Sequence, residues 1–170
     1  MQSGWARVLN WTCQFFESGE IVKSSVYDVP PVWTLEAAVV AWVLGRYLPV
    51  WDFSAIVPGW LGWLVMLAGV GLVFWSASWF RRKQTTINPK LEPTSLIVEG
   101  PYRFSRNPIY LGMAVFLTGW ALWIGAVSAL VVPFVFARII TRRFILHEEE
   151  NLRAQFGQEA EDFIAKTRRW

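Results

Sequence analysis

One stretch constrains this chain more than any other: from Val57 to Phe80 it runs 24 residues without an Asp, Glu, Lys or Arg, then stops at Arg81-Arg82-Lys83. As a helix it reaches about 36 Å, enough to cross the roughly 30 Å hydrocarbon core of a bilayer. Lipid offers the backbone no water to bond, so such a segment crosses as a helix. Gly59, Gly62, Gly69 and Gly71 lie within it, and small residues let a neighbouring helix approach closely. The whole chain is 54% hydrophobic, above the ~45–50% of soluble domains. Its twelve Trp suit the membrane–water interface.

Other apolar stretches flank this run. Residues 32–50 form a candidate first span, with Glu36 and Arg46 near its ends; these are interface anchors that snorkel to headgroups, or functional intramembrane charges. Residues 109–124 and 126–143 are divided by Gly125. They read as a helical hairpin, with one long bent helix as the alternative. The second continues without a stop signal through Arg142, Arg143, His147 and Glu148-Glu149-Glu150 to Gly157, so the helix is expected to leave the bilayer and enter water. Gln158 to Trp170 reads as a short amphipathic helix. At the other end, Trp5, Leu9, Thr12 and Phe16 share a face over residues 4–17, the pattern of a helix lying on the membrane; residues 18–31 read as a linker.

The expected fold is therefore all-α and integral to the membrane. It has about four transmembrane helices (32–50, 57–80, 109–124, 126–143), an N-terminal interfacial helix and cytosolic C-terminal helices. Residues 1–31 form the N-terminal segment, and 32–170 a single membrane domain. Lys and Arg set its orientation. Six lie in 81–107 and seven from Arg138 onward, while the links at 51–56 and around 125 hold none. The 81–107 loop and both termini are expected on the cytoplasmic side, and no secretory signal is expected.

Several chemistries are excluded. Cys13 is the single cysteine and His147 the single histidine, so no internal disulfide and no Cys/His metal site is expected. Neither an inverted repeat nor a ring of buried charges supports a channel or transporter.

Two segments share the cytoplasmic side. In LIVEGPYRFSRNPIYLG (96–112), Gly100-Pro101-Tyr102 makes a tight turn with bare backbone. Asn107-Pro108 fits a helix start, with Asn as cap and Pro in the first turn; its N–H groups suit a carboxylate. Tyr102, Phe104 and Tyr110 are candidates to stack on a purine, and Arg103 and Arg106 to meet anionic groups. An ordinary capped helix with lipid-facing arginines is the plain alternative. In HEEENLRAQFG (147–157), the glutamates are either a solvated acidic face or carboxylates for an ammonium, a ribose or a sulfonium.

Taken together, Gly100-Pro101-Tyr102-Arg103, Arg106-Asn107-Pro108, Tyr110, Gly112, then Glu148-Glu149, Leu152 and Phe156-Gly157 resemble the isoprenylcysteine carboxyl methyltransferase and phospholipid methyltransferase family. Thr85-Thr86 and Asn88-Pro89 are similar to bacterial members. The resemblance covers roughly 57–170. It implies an enzyme, a membrane methyltransferase that moves a methyl group from S-adenosylmethionine, leaving S-adenosylhomocysteine, to an amphipathic or lipid-like acceptor such as an isoprenylcysteine-type carboxylate or a phospholipid amine. It implies cofactor binding by Gly100, Pro101, Tyr102, Arg103, Asn107, Pro108, Tyr110, Leu111, Glu148 and Glu149, with catalytic roles for Arg106, Asn107 and Arg169. Expected partners are the bilayer, a bacterial inner membrane, and the methyl acceptor, with neither nucleic acid nor an obligate protein partner. The chain departs from the family pattern at Asn107, where many relatives carry His, and at Ala160 and Phe163, where two tyrosines are expected. The competing readings are a membrane reductase using a nicotinamide cofactor and a non-catalytic lipid-binding protein.

Overall fold

The structure, a computed structural model, describes residues 28–83 and 96–170. The expected interfacial helix over 4–17, Cys13, Thr85-Thr86 and Asn88-Pro89 lie outside the described residues. Helix α1 spans Pro30–Tyr47 and α2 Gly59–Lys83; a 3₁₀ turn covers Gly100–Arg103; α3 is Pro108–Ile124 and α4 Val127–Ile140. A π-helical turn, Thr141–Ile145, leads without a break into α5 (Leu146–Phe156), and α6 is Gln158–Lys166. Prolines open α1 and α3, where a missing N–H costs nothing and the ring presets φ. Gly125, in the left-handed region at φ 79°, closes α3, which gives the hairpin and not the single bent helix.

The central helix is α3. On one side it meets α2 along its length, because four glycines leave no side chains between the backbones. A Cβ at Gly69 would lie 2.6 Å from the carbonyl oxygen of Gly112, and one at Gly62 2.8 Å from that of Gly119; the reverse pairs give 2.8 and 2.7 Å. Each pair is seven residues from the next on its own helix, two turns, so the contact recurs on one face. Gly71 faces open space and takes no part. On its other side α3 packs on α1 and α4 through Leu117, Ala121, Ala38, Ala41, Ala129 and Ile140, all buried. Trp120 Nε1 donates to the carbonyl of Ala38 at 2.9 Å.

The two uncharged links meet at one end of the bundle, where Phe53 N–H bonds the Gly125 carbonyl and Val127 N–H that of Trp51. The 3₁₀ turn, α5 and α6 lie at the other end. There Arg143 donates to both carboxylate oxygens of Asp28 at 2.7 and 2.9 Å, joining the start of α1 to the π turn.

Among the described residues one helix, over Gly59–Trp79, is long and apolar enough to cross a membrane. The expectation of four such spans is thus reduced on these criteria. Helix α3 is apolar but has 17 residues, α1 carries Glu36 and Arg46, and α4 has 14 residues before the π turn. The outside of the bundle is nonetheless apolar: Val39, Trp42, Leu64, Leu67, Phe74, Val131 and Phe134 are all exposed.

The glycine contact generates a test. Gly69→Leu should force α2 off α3 and destabilise the protein by about 1–3 kcal/mol, the usual cost of overpacking, whereas Gly71→Leu should leave the melting temperature unchanged. Thermal unfolding of both variants in detergent measures this.

Candidate active site

The site is assembled where three segments converge. Gly100 begins the 3₁₀ turn at φ 60°, and a Cβ there would collide with the indole of Trp79 at the end of α2. Only glycine therefore satisfies both the backbone and the space. The turn buries Tyr102 against Ile97 and Phe163. Phe163 comes from α6, so this apolar contact holds α6 beneath the turn.

The chain after α6 then runs beside the start of α3. Ser105 and Arg168 form a parallel bridge, and Arg106 N–H donates to the Arg168 carbonyl at 2.8 Å. Ser105 Oγ and Asn107 Nδ2 both donate to the Arg169 carbonyl, at 3.2 and 3.0 Å. Asn107 precedes α3 but makes no side-chain cap, which corrects the capping expectation: its amide is taken by the C-terminal tail. Trp170 Nε1 reaches Thr141 Oγ1 in the π turn at 3.2 Å.

This strap positions Arg169 over α5. Its Nε and Nη2 donate to the two oxygens of Glu149 at 2.8 and 2.7 Å, the bidentate pairing that suits guanidinium and carboxylate. Arg106 Nη2 lies 3.6 Å from the same carboxylate, and Arg106 Nη1 donates to the Ile164 carbonyl at 2.9 Å. Glu149 is 2% exposed. Burial alone would raise its pKa, but the Arg169 hydrogen bonds and the charges of Arg106, Arg169 and Arg153 outweigh it and hold the carboxyl below its ordinary value.

Its neighbour behaves in the opposite way. Glu148 accepts a hydrogen bond from the Tyr110 hydroxyl and has no salt-bridge partner among the described residues. Burial, only partly offset by the Tyr110 bond and reinforced by the Glu149 charge, pushes its pKa up to about 7. The Tyr102 phenol is held above its usual range, first by burial and then by Glu148. Two adjacent carboxylates thus have different protonation behaviour, set by which one the cations reach.

Two buried donors in this region, Trp79 Nε1 and Arg106 Nε, have no acceptor within the protein among the described residues. Buried N–H groups rarely stay unpaired, so donors without acceptors and a carboxyl without a cation match a ligand that carries both acceptor oxygens and positive charge.

The sequence-derived residues divide accordingly. Arg106, Asn107, Glu149 and Arg169 form one network. Tyr110 and Glu148 form a pair beside Tyr102; Gly100 and Pro101 precede Tyr102 in the 3₁₀ turn, and Pro108 and the half-buried Leu111 flank Tyr110 in the first turn of α3. Arg103 and His147 face solvent, and Phe104 is 74% exposed. Ala160 and Phe163 are buried packing residues where hydroxyls were expected. Sequence reading missed Trp79, Ser105, Thr141 and Trp170. Trp79 carried only the signal of an interfacial aromatic, and the tail contacts had no local signal at all.

Arg169→Leu should leave Glu149 buried without its bidentate partner and cost about 2 kcal/mol near neutral pH. Glu149 has a depressed folded pKa, so its pairing stabilises the protein above the ordinary carboxyl value of 4.5 and is lost as pH falls through the folded value. The difference between wild type and variant should therefore shrink on acidification, as denaturation at two pH values will measure.

Comparison with known proteins adds a family. A 62-residue part of the chain is 34% identical to an uncharacterized protein of Haemophilus influenzae, covering 36% of this chain and 98% of that protein. No solved structure matches the chain significantly. The family model for phospholipid methyltransferase matches residues 57–159, which take in α2, the 3₁₀ turn, α3, the π turn and the Glu148-Glu149 helix; the chain belongs to the phospholipid methyltransferase family.

Proposed function

We propose that this protein is an integral membrane methyltransferase that moves a methyl group from S-adenosylmethionine to an amphipathic or lipid-like acceptor, a phospholipid amine or an isoprenylcysteine-type carboxylate. The observation that carries the reading is the meeting of the Gly100–Leu111 segment with Glu148-Glu149 at one end of an apolar bundle, within the family match. Helices α1 to α4 would all lie in the membrane, α3 sheltered by its neighbours, as one domain over 32–170. The site and both termini would be cytoplasmic, in a bacterial inner membrane.

Gly100-Pro101-Tyr102, with Arg103 at the rim, and the Asn107-Pro108 start of α3 with Tyr110 and Leu111 would hold the cofactor against the Glu148-Glu149 helix. Its carboxylate would take the open donors of Arg106 and Trp79. The sulfonium supplies an activated methyl group, so the protein's task is mainly alignment. Arg106, Asn107 and Arg169 act by position: they anchor the tail and keep Glu149 ionised, which holds α5 at its distance from the Gly100 turn. An apolar groove of about 250 Å³, lined by Thr34, Val70, Val73, Phe74, Met113 and Phe116, opens between α1 and α2 with α3 as its floor. Met113 lies one helical turn from Tyr110, so an acyl or prenyl chain in the groove would carry its head toward the site.

S-adenosylhomocysteine should bind the purified protein in calorimetry, and labelled S-adenosylmethionine should pass its methyl to a lipid fraction in native membranes. Gly100→Val should abolish the binding. If a nicotinamide cofactor and not S-adenosylhomocysteine raises the melting temperature, the reading is wrong.

A further inference from the structure

The outward face of α4 changes character along its length. Val131, Phe134 and Val135 are exposed apolar residues. The same stripe, at steps of three and four residues, continues through Arg138 in the last turn of α4 and Arg142 in the π turn, both exposed. From Val131 to Arg142 the rise is about 16 Å, close to the roughly 15 Å of hydrocarbon in one leaflet. Among the described residues neither arginine has a carboxylate partner, whereas the adjacent Arg143 is closed on Asp28. Two like charges four residues apart on a helix repel, so this pair is at a disadvantage unless an anion lies against it.

We propose that Arg138 and Arg142 form a docking surface for an anionic phospholipid, its phosphodiester held between the two guanidinium groups and an acyl chain lying along Val135, Phe134 and Val131; this rests on the reading above that α4 lies in the membrane with its C-terminal end at the cytoplasmic face. A guanidinium presents paired N–H donors that match phosphate oxygens. The long stem of Arg138, one turn deeper than Arg142, carries its charge outward to the phosphate level. A zwitterionic lipid brings its own cation beside the phosphate and gains less from the pair. The occupant is distinct from the methyl acceptor. An anionic lipid such as phosphatidylglycerol has neither amine nor carboxylate to methylate, and α4 contributes no residue to the groove between α1 and α2. The surface adjoins the turn that leads into the Glu148-Glu149 helix. There Thr141 accepts the Trp170 indole N–H and Arg143 holds Asp28, so three consecutive residues tie that turn to the tail, to the bilayer and to the start of α1.

The test offers the full chain, in a neutral detergent, phosphatidylglycerol and phosphatidylcholine together, and counts the bound lipids by native mass spectrometry. Wild type should retain phosphatidylglycerol in preference. Arg138→Gln/Arg142→Gln should weaken that preference roughly 30-fold, the equivalent of about 1 kcal/mol for each arginine. Arg46→Gln/Lys166→Gln removes the same net charge from other exposed positions and should keep the preference. In nanodiscs, phosphatidylglycerol should raise the melting temperature of wild type more than that of Arg138→Gln/Arg142→Gln, and added salt should shrink the gain. Inorganic phosphate at the same concentration should leave the lipid bound. The inference is overturned if wild type retains both lipids equally, if Arg138→Gln/Arg142→Gln keeps the preference, or if inorganic phosphate displaces the lipid. Phe134→Cys and Arg142→Cys, each with Cys13→Ser, separate this from the membrane reading. In native membranes a water-soluble maleimide should modify Arg142→Cys and spare Phe134→Cys. Equal modification of both overturns the placement of α4 in lipid and this inference with it, whereas a spared Phe134→Cys without lipid preference overturns this inference alone.

Discussion

The close approach of α2 and α3 through Gly62, Gly69, Gly112 and Gly119 is the contact on which the rest of the molecule depends. In lipid there is little hydrophobic gain from pressing two apolar helices together, and association relies on close packing. Helix α2 has α3 as its main neighbour, so this glycine seam largely decides where its C-terminal end stands. That end carries Trp79, whose indole lies against Gly100. A seam in the middle of the bundle therefore shapes a turn at its edge, and the same α3 presents Tyr110 to Glu148 two residues before the first of its seam glycines.

The second organising contact is electrostatic. Arg169 closes on Glu149 while the Arg168 and Arg169 carbonyls accept from Arg106, Ser105 and Asn107. The tail is thus held by side chain and backbone together, and it ties α5 to the start of α3. The consequence for chemistry lies next door. Because Arg169 and Arg106 lie against Glu149, Glu148 is left with a phenol, and two identical side chains one residue apart acquire different acid–base behaviour. Removal from water raises both; only one has its charge matched.

Much of this was legible in the chain. The uncharged run, the breaks at Gly125 and Gly157, and the helix that passes from an apolar into a charged stretch without a stop all follow from local rules of length, glycine and charge. So did the family, because Gly100-Pro101-Tyr102, Asn107-Pro108 and Glu148-Glu149 are short contiguous signals. The four-span reading asked more of the sequence than local rules support: α1 and α4 carry charges or end early, and whether such helices lie in lipid depends on what covers them. The π turn at Thr141–Ile145 had no sequence signal either, since one extra residue in a helical turn leaves the local composition unchanged.

What the sequence determined by itself was therefore a set of helices and their order, since each follows from residues close together in the chain. The roles of individual side chains were decided only in three dimensions. Asn107 reads locally as a cap, yet its amide goes to the Arg169 carbonyl 62 residues away. Ala160 and Phe163 stand where hydroxyls were expected, and their use is to pack α6. Glu148 and Glu149 are indistinguishable in the sequence. Which of them keeps its charge was settled by the tail folding back over α5, because a carboxyl's protonation is set by the cations and the water within a few ångströms of it and not by its place in the chain.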